Sequence, residues 1–189
     1  MSIKLHLGCG TKRMEGWVNV DQFASLKPDQ VVNLAKFPWP WPDNSVDEIY
    51  SHHVFEHLAD ACATIMECWR ILKPGGTVET VVPYAANQLY LQDPTHCRPW
   101  TDVTVDYFLN DHPYNHKYTE HGFELVFCYL RDQVEDAPPP SLNRLLRALL
   151  PKRVKKSLRY VLLGMFDEVH FKLRKPGATT TGEAINTGR

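Results

Sequence analysis

Apolar and polar positions change rhythm several times along the chain, and each change predicts an element. Ile3–Leu7 reads as a strand that runs straight into the turn Gly8-Cys9-Gly10. Trp17-Val18-Asn19-Val20-Asp21 predicts a second strand, and Val31–Leu34 a short third. Phe37-Pro38-Trp39-Pro40-Trp41-Pro42 fits neither a helix nor an inner strand, because each proline removes an amide donor. Val46–Ser51 predicts the fourth strand. Between 58 and 72 the apolar residues Leu58, Cys62, Ile65, Met66, Trp69 and Leu72 recur at helical spacing, and Lys73-Pro74-Gly75-Gly76 ends that helix. Thr77–Val82 predicts a fifth strand, residues 83–100 a long loop, and 101–110 a short helix with Val103, Tyr107 and Phe108 inward. Phe123–Arg131 predicts a sixth strand and Phe166–Arg174 a seventh. Between them, residues 141–163 carry two helical stripes, Leu142/Leu145/Leu146/Leu149 and Val154/Leu158/Val161/Leu162, broken at Pro151.

Strands that alternate with helices predict an α/β fold with a mostly parallel sheet. Ligands in such sheets bind outside the carboxyl ends of the strands. The turns after Leu7, Asp21, Leu34, Ser51 and Val82 therefore belong around one crevice. The 189 residues suit one domain, expected over residues 1–175, with a small, polar and disordered tail over 176–189.

Composition removes several classes. With 43% hydrophobic and 23% charged residues, the chain is neither disordered throughout nor a disulfide miniprotein. No apolar run approaches the ~18 residues of a membrane span. The opening segment lacks the apolar region of a signal peptide, so none is expected. Five cysteines without a CxxC pair predict free thiols in a reducing, cytoplasmic compartment. The net charge of −1 hides an asymmetry. Residues 1–140 hold 10 Lys+Arg against 19 Asp+Glu, and residues 141–175 hold 10 against 2. That basic amphipathic segment packs on the sheet, or it makes a weak peripheral contact with an anionic membrane.

The chemistry concentrates in a few short segments. Gly8 and Gly10 let the backbone turn and approach a ligand with no Cβ in the way, as they also would in an ordinary turn. Asp21 ends the second strand, where a carboxylate accepts from a ribose diol or caps a turn. Taken in order, Leu5-His6-Leu7-Gly8-Cys9-Gly10, Gly16-Trp17-Val18-Asn19-Val20-Asp21, Asp47 to Leu58 and Leu72-Lys73-Pro74-Gly75-Gly76 resemble the class I S-adenosylmethionine-dependent methyltransferases. The sequence is most similar to a short subgroup with an LGCG…GWVNVD opening and an S-x-H-x-x-E-H-L segment. The similarity runs from residue 3 to about 131 and, more loosely, over the last strand.

This resemblance implies a Rossmann-like, doubly wound sheet with S-adenosylmethionine as cofactor. It implies cofactor contacts from Leu7, Gly8, Cys9 and Gly10, from Asp21, from Asn33 and Leu34, and from Ser51, His52 and His53. The subgroup is associated with glycan and small-molecule pathways, which implies a small-molecule or sugar-like acceptor. Two departures stand out. Ten residues separate Gly10 from Asp21, where about twenty are usual, so the first crossover helix is a turn or two at most and Lys12–Gly16 lines the cofactor as a loop. Asn33 replaces a common Asp, and its amide can both donate and accept.

On the acceptor side the loop Asp93-Pro94-Thr95-His96 follows the fifth strand. His96 suits a general base and Asp93 could orient it; alternatively, Asp93 and Thr95 hold a turn while Thr101 caps the next helix. Glu56 and His57 either support the acceptor or serve a helix start and packing. His112, His116 and His121 follow His96 and Cys97 in the chain, but no HxH, HExxH or CxxC frame is present, and no metal is expected. Trp39, Trp41, Tyr84, Trp100 and Tyr107 line an acceptor pocket or form core.

The leading expectation is a methyltransferase. The alternatives are a related binding module without catalysis and, from the basic segment alone, a nucleic-acid methyltransferase, although no stable nucleic-acid partner is expected. A nicotinamide oxidoreductase is disfavoured, because the turn lacks the third glycine that approaches a pyrophosphate.

Overall fold

The computed structural model describes residues 2–115, 118–131, 149–158 and 165–177. Among the described residues seven strands form one sheet: β1 (Lys4–Leu7), β2 (Val18–Asp21), β3 (Gln30–Val31), β4 (Val46–His52), β5 (Leu72–Pro83), β6 (Glu124–Arg131) and β7 (Glu168–Arg174). Their order is β3-β2-β1-β4-β5-β7-β6. Every pair from β3 to β5 is parallel, and β7 runs antiparallel between β5 and β6. The helices are α1 (Ala61–Ile71), α2 (Gln88–Leu91), α3 (Asp102–Asp106) and α4 (Lys152–Leu158).

The expected third strand shrinks to Gln30–Val31, which leaves Asn33 and Leu34 in the turn beyond it. The shortened first crossover has no helix; residues 11–17 form turns and coil. A side chain in β2 does the fastening instead. Asn19 is buried; its Oδ1 accepts the Met14 N–H at 2.7 Å, and its Nδ2 donates to the Met14 and Trp17 carbonyls at 3.1 Å each. Asp29 accepts from both the backbone and side-chain amides of Asn19, and these bonds help hold its carboxyl down to about 2. One amide thus ties down a loop that would otherwise carry unpaired polar backbone.

α1 starts three residues after its expected first residue, where the Asp60 side chain accepts the Ala63 N–H at 2.8 Å. α3 is rolled relative to the expectation: Val103 is 44% exposed, while Val105 and Phe108 are buried. Thr101 caps α3 as expected. Trp39, Trp41, Tyr84 and Trp100 are core residues, with Trp100 stacked on Phe171 of β7. Of the stripes expected over 141–163, most lies outside the described residues. Within them α4 begins just after Pro151, with Val154 exposed and Lys155 buried. The expected tail lies outside them from residue 178 onward. No helix among the described residues is long and apolar enough to cross a membrane.

Candidate functional site

The carboxyl ends of β1, β2 and β4 surround a cleft of about 590 Å³, well within the range of small-molecule sites. Its first wall is the turn after β1. Gly8 has φ +63°, and a Cβ there would lie 2.3 Å from Val54 Cγ2, so backbone and Val54 side chain are in direct contact. Gly10 also has positive φ, and a Cβ there would meet nothing within 4 Å. Asp21 is 7% exposed at the cleft. Its Oδ2 accepts the Gly10 N–H at 2.9 Å and its Oδ1 the Phe23 N–H at 3.0 Å. Each oxygen keeps a lone pair for a further donor. Val32, Leu34, Leu26 and Phe23 give this end an apolar lining. Asn33 is exposed and also lines the cleft; its Oδ1 accepts the Ala35 N–H at 2.9 Å, which leaves its amide donor available.

The opposite wall carries His53, His57 and Thr95. The loop after β5 folds onto the 3-10 turn Phe55–His57, where the Glu56 carbonyl accepts the N–H groups of Cys97 at 2.9 Å and Arg98 at 3.0 Å. This latch brings Asp93, Thr95 and His96 to Glu56 and His57. Asp93 Oδ1 accepts both the Thr95 N–H at 2.8 Å and its hydroxyl at 2.6 Å. The Thr95 hydroxyl proton being spent there, its oxygen accepts from His57 Nδ1–H at 2.8 Å. Neutral His57 therefore keeps its proton on Nδ1 and leaves Nε2 free. Burial, followed by the nearby His96, lowers its pKa and favours that neutral form.

His96 is largely buried. Its Nδ1–H donates to the Tyr90 carbonyl at 2.9 Å, and its Nε2 lies 3.8 Å from both Glu56 Oε1 and Asp93 Oδ2. Its ring meets His57 edge-on at 4.7 Å. Glu56 is fully buried, and neither carboxylate oxygen has a hydrogen-bond partner among the described residues. Burial pushes its carboxyl up to about 7. A second group lies alongside. Buried Glu168 accepts from His53 Nε2–H at 3.1 Å and stands 3.4 Å from Arg131 and 3.9 Å from His52. Its burial favours the neutral form, but the His53 hydrogen bond and the charges of His53, Arg131 and His52 outweigh that and lower its pKa.

Of the residues expected at the cofactor, Gly8, Gly10, Asp21, Asn33, Leu34 and His53 line the cleft. Leu7 and Cys9 are buried beside the turn, and Leu7 is core. Ser51 is fully buried, its hydroxyl 2.5 Å from Thr80 across the β4–β5 pair, and His52 stacks on His53 away from the lining. On the acceptor side, Asp93 does hold a histidine through Thr95, but that histidine is His57; His96 stands behind it. His121 stacks on Trp69 and His112 packs at a tilt against Tyr107, apart from His96, and His116 lies outside the described residues. Sequence reasoning missed Asn19 and Val54, and gave Thr95 only a turn-stabilising role. Only Thr95 carried a signal, as the residue two after a turn-forming Asp.

Residues 5–79 match the family described as Methyltransferase domain. That stretch is about two fifths of the chain, and it is similar to S-adenosylmethionine-dependent methyltransferases. A probable S-adenosylmethionine-dependent methyltransferase of Mycolicibacterium smegmatis is 43% identical over 51 residues, 27% of this chain and 19% of that protein. The chain spans only 19% to 24% of the length of the curated relatives it matches. Among solved structures, a SAM dependent methyltransferase from Archaeoglobus fulgidus superimposes with a TM-score of 0.61 at 17% identity, covering 92% of this chain and 86% of that one. The [4+2]-cyclase SpnF does so at 0.58 and 15%, covering 94% and 76%. These likenesses show the fold. Since a protein named as a cyclase shares it, the chemistry of this chain follows from its site and not from its fold.

Proposed function

We propose that this methyltransferase binds S-adenosylmethionine in the cleft and transfers its methyl group to a hydroxyl of a small-molecule or sugar-like acceptor at the His53–His57–Thr95 wall. The observation that carries the reading is Asp21, a carboxylate with lone pairs to spare, buried at a cleft edge beside two positive-φ glycines. When bound, the cofactor supplies an electrophilic methyl on a sulfonium. Asp21 accepts from the ribose hydroxyls, the Gly8–Gly10 backbone accommodates the methionine portion, and Asn33 with Leu34 flanks the adenine. Asp93 and Thr95 fix the His57 ring, and His96 packs behind it, so the acceptor oxygen meets an ordered wall as it gives up its proton. One domain over residues 1–175 carries this activity. All five cysteines are free, which fits a cytoplasmic setting. Leu149 and Val154 are exposed near Arg153, which supports a peripheral contact of 141–163 with anionic lipid; flotation with anionic vesicles at low and high salt tests it.

The test of the main reading is calorimetry with the demethylated cofactor. Asp21→Ala removes charge-assisted bonds worth ~1.5–3 kcal/mol each, so affinity falls at least about tenfold. Unchanged affinity overturns the assignment. Binding without turnover over a panel of hydroxyl acceptors identifies a module without catalysis.

A further inference from the structure

We propose that Glu56, His57 and His96 form a binding site for one divalent transition-metal ion, of the zinc, cobalt or manganese kind, at the acceptor side of the cleft. One donor atom from each residue lies within 4.8 Å of the other two. Around an ion with bonds of ~2.0–2.2 Å, such donors stand about 3.3 Å apart, so side-chain adjustments of about an ångström close the site. Two histidines and a carboxylate are a common donor set for such ions.

Three further observations point to an ion. Glu56 is fully buried with both oxygens unpartnered, a costly state for a carboxylate unless a cation meets it. No lysine or arginine pairs with it among the described residues. Both histidines are already held through Nδ1, His96 by the Tyr90 carbonyl and His57 by Thr95 backed by Asp93. Holding the ring through its other nitrogen is how proteins fix the tautomer and orientation of metal-binding histidines. The neighbouring His52–His53–Glu168 group has the same composition, but Arg131 already neutralises its carboxylate.

The ion's role rests on the methyl-transfer reading, although its binding does not. A cation at this wall lowers the pKa of an acceptor hydroxyl. The proton passes to solvent, the oxygen bonds to the methyl carbon, and the carbon–sulfur bond breaks with its electron pair returning to sulfur. The products are a methyl ether, the thioether cofactor and a proton, with no change in oxidation state at the ion.

The experiment titrates the chelator-stripped full chain with Co²⁺ and Zn²⁺ by calorimetry, and follows Co²⁺ by its visible absorption. The expected result is one ion per chain with a low-coordinate cobalt spectrum. Glu56→Gln and His96→Ala each weaken binding at least about tenfold, Thr95→Val weakens it less, and His52→Ala leaves it unchanged. If Glu56→Gln fails to fold, the altered cobalt spectrum of His96→Ala decides. Absence of stoichiometric binding overturns the proposal, as does binding that survives both ligand variants or disappears in His52→Ala. Binding of the demethylated cofactor is measured on the same stripped protein. Cofactor binding without ion binding overturns the metal site alone, whereas ion binding without cofactor binding overturns the cleft assignment and leaves the metal site standing.

Discussion

Two buried glutamates lie near the end of the cleft, each beside two histidines, and they end in opposite electrostatic states. Glu168 accepts a hydrogen bond from His53 and faces Arg131, and its pKa lies below the usual carboxylate value. Glu56 has neither, and its carboxyl rises to about 7. Residue type and burial are the same in both places. The difference shows that the supply of donors and cations from other segments, and not the composition of a cluster, sets the charge of a buried carboxyl. It also separates a saturated cluster from one still able to take a cation.

The largest expected effect that sharpens this contrast is one of pH. An acid whose folded pKa is raised holds a proton in the folded state that the unfolded chain has released. Metal-free protein therefore loses stability as pH rises from about 4.5 to about 7, and the loss from Glu56 amounts to roughly 2–3 kcal/mol. Glu168 acts with the opposite sign: its contribution is present above the unfolded value and is lost as pH falls through its lower folded value. Urea unfolding of chelator-treated protein at pH 5 and pH 8 measures the first effect. Glu56→Gln should abolish most of the decline, and an unchanged decline means that Glu56 is not its source.

Next in size is the contact that joins the cofactor turn to the histidine wall. Gly8→Ala places a Cβ against Val54 in a backbone conformation that favours glycine. It should cost about 1–3 kcal/mol and weaken cofactor binding. Val54→Ala should recover part of that stability, and additive losses in the double variant refute the contact.

A smaller effect breaks the saturated cluster. Glu168→Gln strips the charge that faces His53 and Arg131, and should destabilise by about 1–2 kcal/mol, limited because Arg131 is 40% exposed. Glu56→Gln in metal-free protein near pH 8 should be neutral or stabilising. Chemical denaturation of the pair measures the comparison, and equal destabilisation by both erases it.

Smallest is Thr95→Val, which removes the acceptor for His57 Nδ1–H at an exposed edge. Stability should change by about 0.5–1 kcal/mol. Turnover should fall more than cofactor affinity, because His57 loses its orientation. Equal losses in both would make Thr95 a general structural residue.

Much of the fold was legible because its signals are local. The alternation of Val18 to Asp21 and the helical spacing from Cys62 to Trp69 each lie within one element, whereas Lys73–Gly76, expected to part the helix from a strand at Thr77, open β5 itself, which starts at Leu72. Val103 misled because a five-residue helix is too short for periodicity to fix its rotation. The Asn19 hub was invisible because its partners, Met14 and Asp29, lie in segments without regular structure. The acid–histidine wall was only partly legible for a similar reason. Asp93, Thr95 and His96 were visible as a group, but their meeting with Glu56 and His57 spans about forty positions and depends on one backbone latch.

The sequence by itself determined the glycine turn, the carboxylate at the end of β2, the order of alternating elements and, through them, the resemblance to methyltransferases. These rest on backbone conformation and on period, which neighbouring residues impose on one another. Only the tertiary structure decided that His57 and not His96 faces the cleft, that Ser51 belongs to the sheet interior, and that Glu56 is buried without a partner while Glu168 has several. Tautomer, charge and exposure are set by desolvation and by donors that arrive from distant segments, and those quantities exist only once the chain has closed upon itself.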